Sequence, residues 1–278
     1  MILCQLTNGF GNNLFQYNAS IVLGKELDKE IFAIPPSTSY YAIDCLKRCG
    51  VQFYEGGESD LGVVFHVNDP TYMDAIDKKP NADTFILKGY FEDYRFFIEN
   101  VEYLKSVYPK VKKRNDKDLV IHFRAGDRLF YKNEFDYKPR VESYINAIKQ
   151  FDFSRLHIVT DMPEWDYIDE DKLSNMSFHY DVPRNQRVAP NLSVDYFNSF
   201  VDGFKQFDPV VQNRTVYEDF NFIRSFDNIL FEHGTMSWWA AILSDASKVG
   251  VYGPWRAWKG HSNKNLSKIP LENWFQWQ

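Results

Sequence analysis

The chain has 278 residues, a formal net charge of −6 and 44% hydrophobic residues. That length holds one large domain or two of ordinary size, and the acidic balance excludes a general nucleic-acid or anionic-membrane surface. Ile2–Leu6 opens the chain without a basic flank, and no apolar stretch has the length of a signal peptide or membrane anchor, so the expectation is a soluble, cytoplasmic protein without stable membrane insertion.

In chain order, Ile2–Leu6 reads as a buried strand, followed by a Gly-rich turn at Thr7–Asn13 and a helix over Leu14–Leu27, with apolar residues at Leu14, Tyr17, Ile21 and Leu27. Glu30–Ile34 is the next strand, stopped by Pro35-Pro36. Residues 55–83 are rich in Gly, Asp and Pro and read as loop. Phe85–Tyr90 is a strand leading to a helix through Leu104. The charged connector Tyr108–Lys117 contains Pro109 and the one dense basic run, Lys110–Arg114, which reads as an exposed linker rather than a binding arm. The domain boundary falls there, giving domains 1–114 and 115–278.

Beyond it, Leu119–Phe123 and Leu156–Thr160 are short buried strands, with a helix over Arg140–Lys149 between them. Residues 163–195 are polar and turn-rich, and a helix follows through Val194–Phe207. Asn228–Phe231, Ser237–Ser244 and Lys248–Tyr252 form a strand–helix–strand unit. Strands alternating with helices predict an α/β fold with mostly parallel strands.

Val120-Ile-His-Phe-Arg-Ala-Gly-Asp127 carries the leading chemistry: an imidazole, a guanidinium and a carboxylate at one strand tip. Arg124 suits a diphosphate that gains negative charge as a glycosyl bond breaks; a structural ion pair to Asp127 is the alternative. His122, two residues earlier, shares its face on a continuing strand and could bond a base or ribose, or be a satisfied core histidine. Asp127 follows Gly126, where it could act as general base toward an acceptor alcohol or close an Asx turn. Glu134 and Asp136 are alternative bases.

His233-Gly-Thr-Met-Ser-Trp-Trp239 follows a strand and opens a helix, whose first N–H groups, with the Thr235 and Ser237 hydroxyls, could bind an anion or simply cap the helix. Gly9-Phe-Gly-Asn-Asn-Leu14 matches a dinucleotide fingerprint only partly, since Leu14 stands where the third Gly belongs. Asp169-Glu-Asp171 has a metal-binding D-x-D spacing, but an acidic stretch with no strand before it favours a solvated run. Cys4, Cys45 and Cys49 cannot complete a disulfide framework or a zinc site and read as buried or free thiols of a reducing compartment. Most of the aromatic 17% is expected in cores, the remainder being suited to stacking on sugars. The sequons at Asn18 and Asn213 read as chance.

Three blocks in family order resemble the α-1,2-fucosyltransferase family, within the inverting fucosyltransferases of GT-B fold. Gly9-Phe-Gly-Asn-Asn-Leu-Phe-Gln-Tyr-Asn-Ala19 resembles its G-G-L-G-N-Q-x-F-Q-Y-A, His122-Phe-Arg-Ala-Gly-Asp127 its H-x-R-R-G-D, and Gly234-Thr-Met-Ser-Trp-Trp239 its S-T-F-S-W-W. Lys88-Gly-Tyr-Phe91 is similar to a shorter G-Y-W/F block, and Gly253-Pro-Trp255 loosely to a closing Pro/Trp strand end.

The resemblance implies a GT-B-like protein of two facing Rossmann-like domains, residues 1–114 on the acceptor side and 115–278 binding the nucleotide sugar. It implies metal-independent transfer of L-fucose from GDP-fucose to a hydroxyl of a glycan acceptor, with no cofactor required. By motif match, Arg124 would hold the β-phosphate, His122 the guanine side and Asp219 the guanine edge. Thr235, Met236 and Ser237 would meet the diphosphate, and Gly11 and Asn12 would line the cleft. The family's second arginine is Ala125 here, and Arg128 follows Asp127 where an aromatic is common. Either Arg128 replaces the lost charge, or the donor is another GDP-sugar or a UDP-pentose such as UDP-xylose; a catalytically decayed glycan-binding protein is a further alternative. A metal-dependent or retaining enzyme would use Asp169 and Asp171.

Overall fold

Short buried apolar runs make strands, and helices link most of them. The computed structural model describes residues 1–36, 40–114, 117–176, 183–232, 234–253 and 271–278. The first part runs β1 (Ile2–Gln5), α1 (Phe10–Leu27), β2 (Ile31–Ile34), α2 (Tyr40–Arg48), β3 (Val64–Val67), α3 (Tyr72–Lys78), β4 (Thr84–Leu87) and α4 (Val101–Val107). After the connector come β5 (Leu119–Phe123), α5 (Lys132–Phe135), α6 (Val141–Ile148), β6 (Leu156–Thr160), α7 (Glu170–Ser174), α8 (Pro190–Phe204), β7 (Val210–Gln212) and α9 (Val216–Arg224). The chain continues with β8 (Asn228–Phe231), α10 (Thr235–Ile242), β9 (Lys248–Tyr252) and β10 (Trp274–Trp277).

The strands form two parallel sheets, ordered β2-β1-β4-β3 and β10-β9-β8-β5-β6-β7. The molecule is therefore an α/β protein. One unit comprises Met1–Lys112 together with Thr235–Ser244; the other comprises Lys113–Gly234 with β9 and β10. Helix α10 thus belongs to the first unit, whereas the sequence predicts a single cut with all of 115–278 in one domain.

In the first unit, α1 is buried at every position from Asn13 to Gly24, which removes the apolar periodicity that marks a surface helix. It starts at Phe10, four residues before the expected Leu14, because Asn13 and Gln16 tie the preceding turn to it. Asn13 Nδ2 donates to the Thr7 carbonyl at 2.6 Å, Thr7 N–H donates to Gln16 Oε1 at 2.9 Å, and Gln16 Nε2 donates to the Gly89 carbonyl at 2.8 Å. Residues 55–83, expected to be loop, contain β3 and α3; β3 is only partly buried, so its apolar signal is short.

In the second unit, β5 and β6 are buried at every residue, as strands covered on both faces of a parallel sheet must be. Helices α6 and α8 pack together, and their aromatics build the core with β5: Phe123 of β5 stacks on Phe200 with centroids 3.9 Å apart, and Tyr144 meets Phe200 edge-on at 4.9 Å. Gly203 permits this approach, since a Cβ there would lie 2.3 Å from Val141 Cγ1. Helix α9, absent from the elements expected above, begins at a capping box in which Thr215 and Glu218 each accept from the other's end of the turn.

Candidate functional site

The order of the second sheet locates the site. The chain steps from β5 to β6 to β7, then crosses back to place β8 on the other side of β5. Where successive connections depart in opposite directions, a crevice opens beyond the carboxyl ends of the strands. The tips of β5 and β8 flank that point, and all strands being parallel, the segments after β5, β6, β7 and β8 share one edge. Arg124 and Asp127 follow β5, Asp161 follows β6, Asp219 sits in the first turn of α9 after β7, and Glu232 follows β8.

The turn after β5 is built around Asp161. Its Oδ1 accepts from Ala125 N–H at 2.7 Å and Gly126 N–H at 3.0 Å. Gly126 has φ +20°, and a Cβ there would lie 2.2 Å from Asp161 Oδ2, so this position requires glycine. The turn then brings Asp127 back, and Arg124 Nη2 donates to its Oδ1 at 3.0 Å. Burial alone would raise the Asp127 carboxyl, but the Arg124 and Arg128 cations outweigh it and hold the group below the ordinary carboxylate range.

His122 is buried on β5, and burial, reinforced by the Arg124 charge, pushes its imidazole down to about 3. It is neutral at physiological pH, with one nitrogen able to donate and one to accept. Ala125 is fully buried in the cluster with Phe123, Leu129 and Tyr144. Arg128 lies partly buried in the turn Gly126–Leu129; burial, and then the like charge of Arg124, lower its guanidinium to about 10.

Asp219 is 7% exposed, and its buried Oδ1 has no hydrogen-bond partner among the described residues. Burial raises its carboxyl to about 6, against the opposing effect of a backbone hydrogen bond from Arg214. A buried acceptor left without a donor is costly, and a ligand offering N–H groups would satisfy it.

Behind the tips lies an ion pair. Lys138 Nζ is 2.8 Å from Glu232 Oε1, with both side chains 3% exposed, and it also donates to the Arg124 carbonyl at 2.8 Å. The ammonium sits 4.5 Å from the Phe123 ring centroid. Burial and then the Glu232 charge push the Tyr144 and Tyr196 phenols well up, keeping both neutral.

The remaining candidates fall in the first unit. Gly11 on α1 lies against α10: a Cβ there would be 2.3 Å from both Met236 N and Thr235 Oγ1. Thr235 Oγ1 donates to Asn12 Oδ1 at 3.2 Å, and Asn12 Nδ2 donates to Glu92 Oε1 at 3.0 Å. Ser237 is fully buried, and Trp238 and Trp239 pack on Phe15 with centroids 5.0 Å apart, so this block's tryptophans are core. The structure thus brings Gly11, Asn12, Thr235 and Met236 together, and separately gathers His122, Arg124 and Asp127 with Asp219 on one sheet edge.

In Lys88-Gly-Tyr-Phe91, Asp69 accepts from Tyr90 N–H at 2.9 Å and Phe91 N–H at 2.7 Å. Asp169 caps α7 by accepting from Lys172 N–H at 2.8 Å, which gives the first carboxylate of the D-x-D spacing a local structural task. Among the described residues no group of three or more His, Cys, Asp or Glu side chains could hold a metal ion, and no helix is long and apolar enough to cross a membrane. The three cysteines are buried and unbridged, and burial pushes the Cys4 thiol up to about 12. Asn18 is buried and accepts from Tyr108 Oη at 3.0 Å, while Asn213 donates to the Met162 carbonyl at 2.8 Å, so both sequon asparagines serve the fold. Asp136 is exposed after α5. His233, Pro254, Trp255 and the Glu134 side chain lie outside the described residues.

Sequence reasoning misses Asp161, Lys138 and Glu232. Asp161 directly ends the buried run of β6, and Glu232 that of β8, a signal readable from the strand-tip rule; Lys138 sits in an irregular loop with no such mark. No family model matches the chain, and no curated protein matches its sequence.

Proposed function

We propose that the chain is an inverting, α-1,2-fucosyltransferase-like glycosyltransferase of GT-B-like organisation, whose second unit binds the donor, GDP-fucose. The observation that carries this reading is the pairing of Arg124 at a topological switch point with a buried, unsatisfied Asp219 oxygen on the same sheet edge. A guanidinium there suits a diphosphate. A carboxylate acceptor suits the adjacent N1–H and N2–H donors of guanine better than uracil, whose single N–H lies between two carbonyls.

The reaction is a single displacement. The acceptor hydroxyl of a glycan attacks the anomeric carbon from the face opposite the diphosphate, the carbon–oxygen bond to the β-phosphate breaks, and a carboxylate takes the hydroxyl proton. Arg124 stabilises the departing diphosphate. Neutral His122 offers hydrogen bonds on the nucleoside side. Asp127 holds the guanidinium in line and, being ionised at neutral pH, is the base at hand; exposed Asp136 is the alternative. No cofactor or metal takes part in this scheme.

A second reading keeps the reaction and changes the donor. Ala125 removes one cation of the family pattern, and Arg128 enters from a shifted position, which favours another GDP-sugar or a UDP-pentose. Incubating the protein with GDP-fucose, GDP-mannose and UDP-xylose and measuring nucleotide release distinguishes them. Release of GDP from GDP-fucose supports the first reading, and release from another donor alone supports the second. Glycan binding with no nucleotide release from any donor makes the protein a decayed glycan binder and refutes both.

A further inference from the structure

Lys138 and Glu232 form an ion pair that the scheme above leaves unused. Each side chain is 3% exposed, yet each comes from an irregular segment at the catalytic edge of the sheet rather than from the core elements. Taking two charges out of water is costly and their mutual attraction need not repay it, so the pair is a poor way to add stability. Its placement suggests another purpose. One ammonium bonds the carbonyl of Arg124 at the end of β5 and the carboxylate of Glu232 at the end of β8. The register of these adjacent strands runs as far as His122 and Phe231 and stops there, so Lys138 joins their tips just past the end of the ladder.

We propose that Lys138 is a positioning residue: by clamping the Arg124 main chain to Glu232, it fixes where the Arg124 guanidinium points. The assignment of Arg124 to a donor diphosphate rests on the function proposed above; the clamp itself does not. Two further contacts give the ammonium one location. It lies over the Phe123 and Tyr196 rings, 4.5 and 5.5 Å from their centroids, and Tyr196 is itself tied by its hydroxyl to the Pro139 carbonyl at 3.0 Å. Pro139 follows Lys138, so the loop that brings the lysine in is anchored beside it. On the far side of the turn, Asp161 holds Ala125 and Gly126 by their N–H groups. The carbonyl of residue 124 and the amides of 125 and 126 are thereby fixed from opposite directions. Position 125 contributes only a buried methyl group, and the cation that supports this turn comes from another segment.

The test uses the full-length protein, K138M, the apolar double variant K138M/E232L and R124A. Arg124 is followed through its side-chain Nε–H signal, assigned by its loss in R124A, and turnover through GDP release from GDP-fucose. The clamp predicts that K138M shifts and broadens the Arg124 signal and lowers kcat by about 10²-fold, as a misplacement near 1 Å does, with KM changed only a few-fold. Replacing both partners by apolar groups relieves the stranded charge, so K138M/E232L regains thermal stability without regaining kcat. An unchanged Arg124 signal in folded K138M overturns the clamp, as does recovery of both stability and kcat in the double variant. If the wild-type protein releases no GDP from GDP-fucose while the Arg124 signal still responds to K138M, the clamp stands and the donor reading fails.

Discussion

Arg124 Nη2 donates to Asp127 Oδ1 at 3.0 Å, with the two side chains 35% and 28% exposed. The pair is local, three residues apart, and set by a turn that Asp161 and Gly126 shape. It joins the two alternatives the sequence leaves open, since an ion pair that aligns a guanidinium can also present it to a ligand.

The Asp127 carboxyl is held below its ordinary range, so it contributes stability that is complete above the unfolded carboxylate range and is lost as pH falls through the folded value. D127N should therefore melt below wild type at neutral pH, and the two melting curves should converge in strong acid. Removing a general base lowers turnover by about 10²-fold or more. A loss of less than tenfold in D127N, with a larger loss in D136N, transfers the base role to Asp136.

Asp219 behaves in the opposite sense. Its folded value is raised to about 6, so its contribution is fully favourable below the unfolded carboxylate range and is lost as pH rises through about 6. D219N should gain in relative stability between pH ~4 and pH ~7, a window set by the raised carboxyl. The guanine role proposed for Asp219 requires the ionised acceptor, so on that reading GDP affinity measured by calorimetry should fall as pH drops below about 6 in the wild type. In D219N it should be flat and weaker by roughly 10- to 100-fold, the worth of a charged hydrogen bond. A wild-type affinity independent of pH across this window removes Asp219 from the guanine site.

Gly11 is a packing glycine. A methyl group there would press on Met236 N and Thr235 Oγ1, both 2.3 Å from it, and α10 backbone cannot yield as a flexible side chain would. G11A should cost about 1–3 kcal/mol in urea unfolding. A stability equal to wild type would show that the two helices separate without penalty.

The parts of the fold legible in sequence are those with dense local signals. β5, β6 and β8 are short, mostly apolar runs, β5 and β6 each holding one histidine, and each is followed directly by a charged residue, as buried parallel strands with functional tips are. Helix α1 hides its first turn because Gly-Phe-Gly-Asn-Asn has turn composition, and tertiary bonds from Asn13 and Gln16 override it. Helix α9 does carry a local mark, since Thr215-x-x-Glu218 is a capping box written in the sequence, but its apolar stripe is short. Arg124, Asp127 and Asp219 are candidates named by motif, whereas Lys138 is invisible because a lysine in a polar loop carries no sign that it will be buried against a carboxylate 94 positions away.

Stabilisation of a departing nucleoside diphosphate by Arg124 is tested most directly by GDP release from GDP-fucose. R124A and wild type are compared at equal concentration, with circular dichroism confirming that both are folded. R124A is expected to lose on the order of 10² to 10³ in kcat, as removal of a charge-stabilising donor produces. Turnover in folded R124A equal to that of an active wild type would contradict the role given to Arg124.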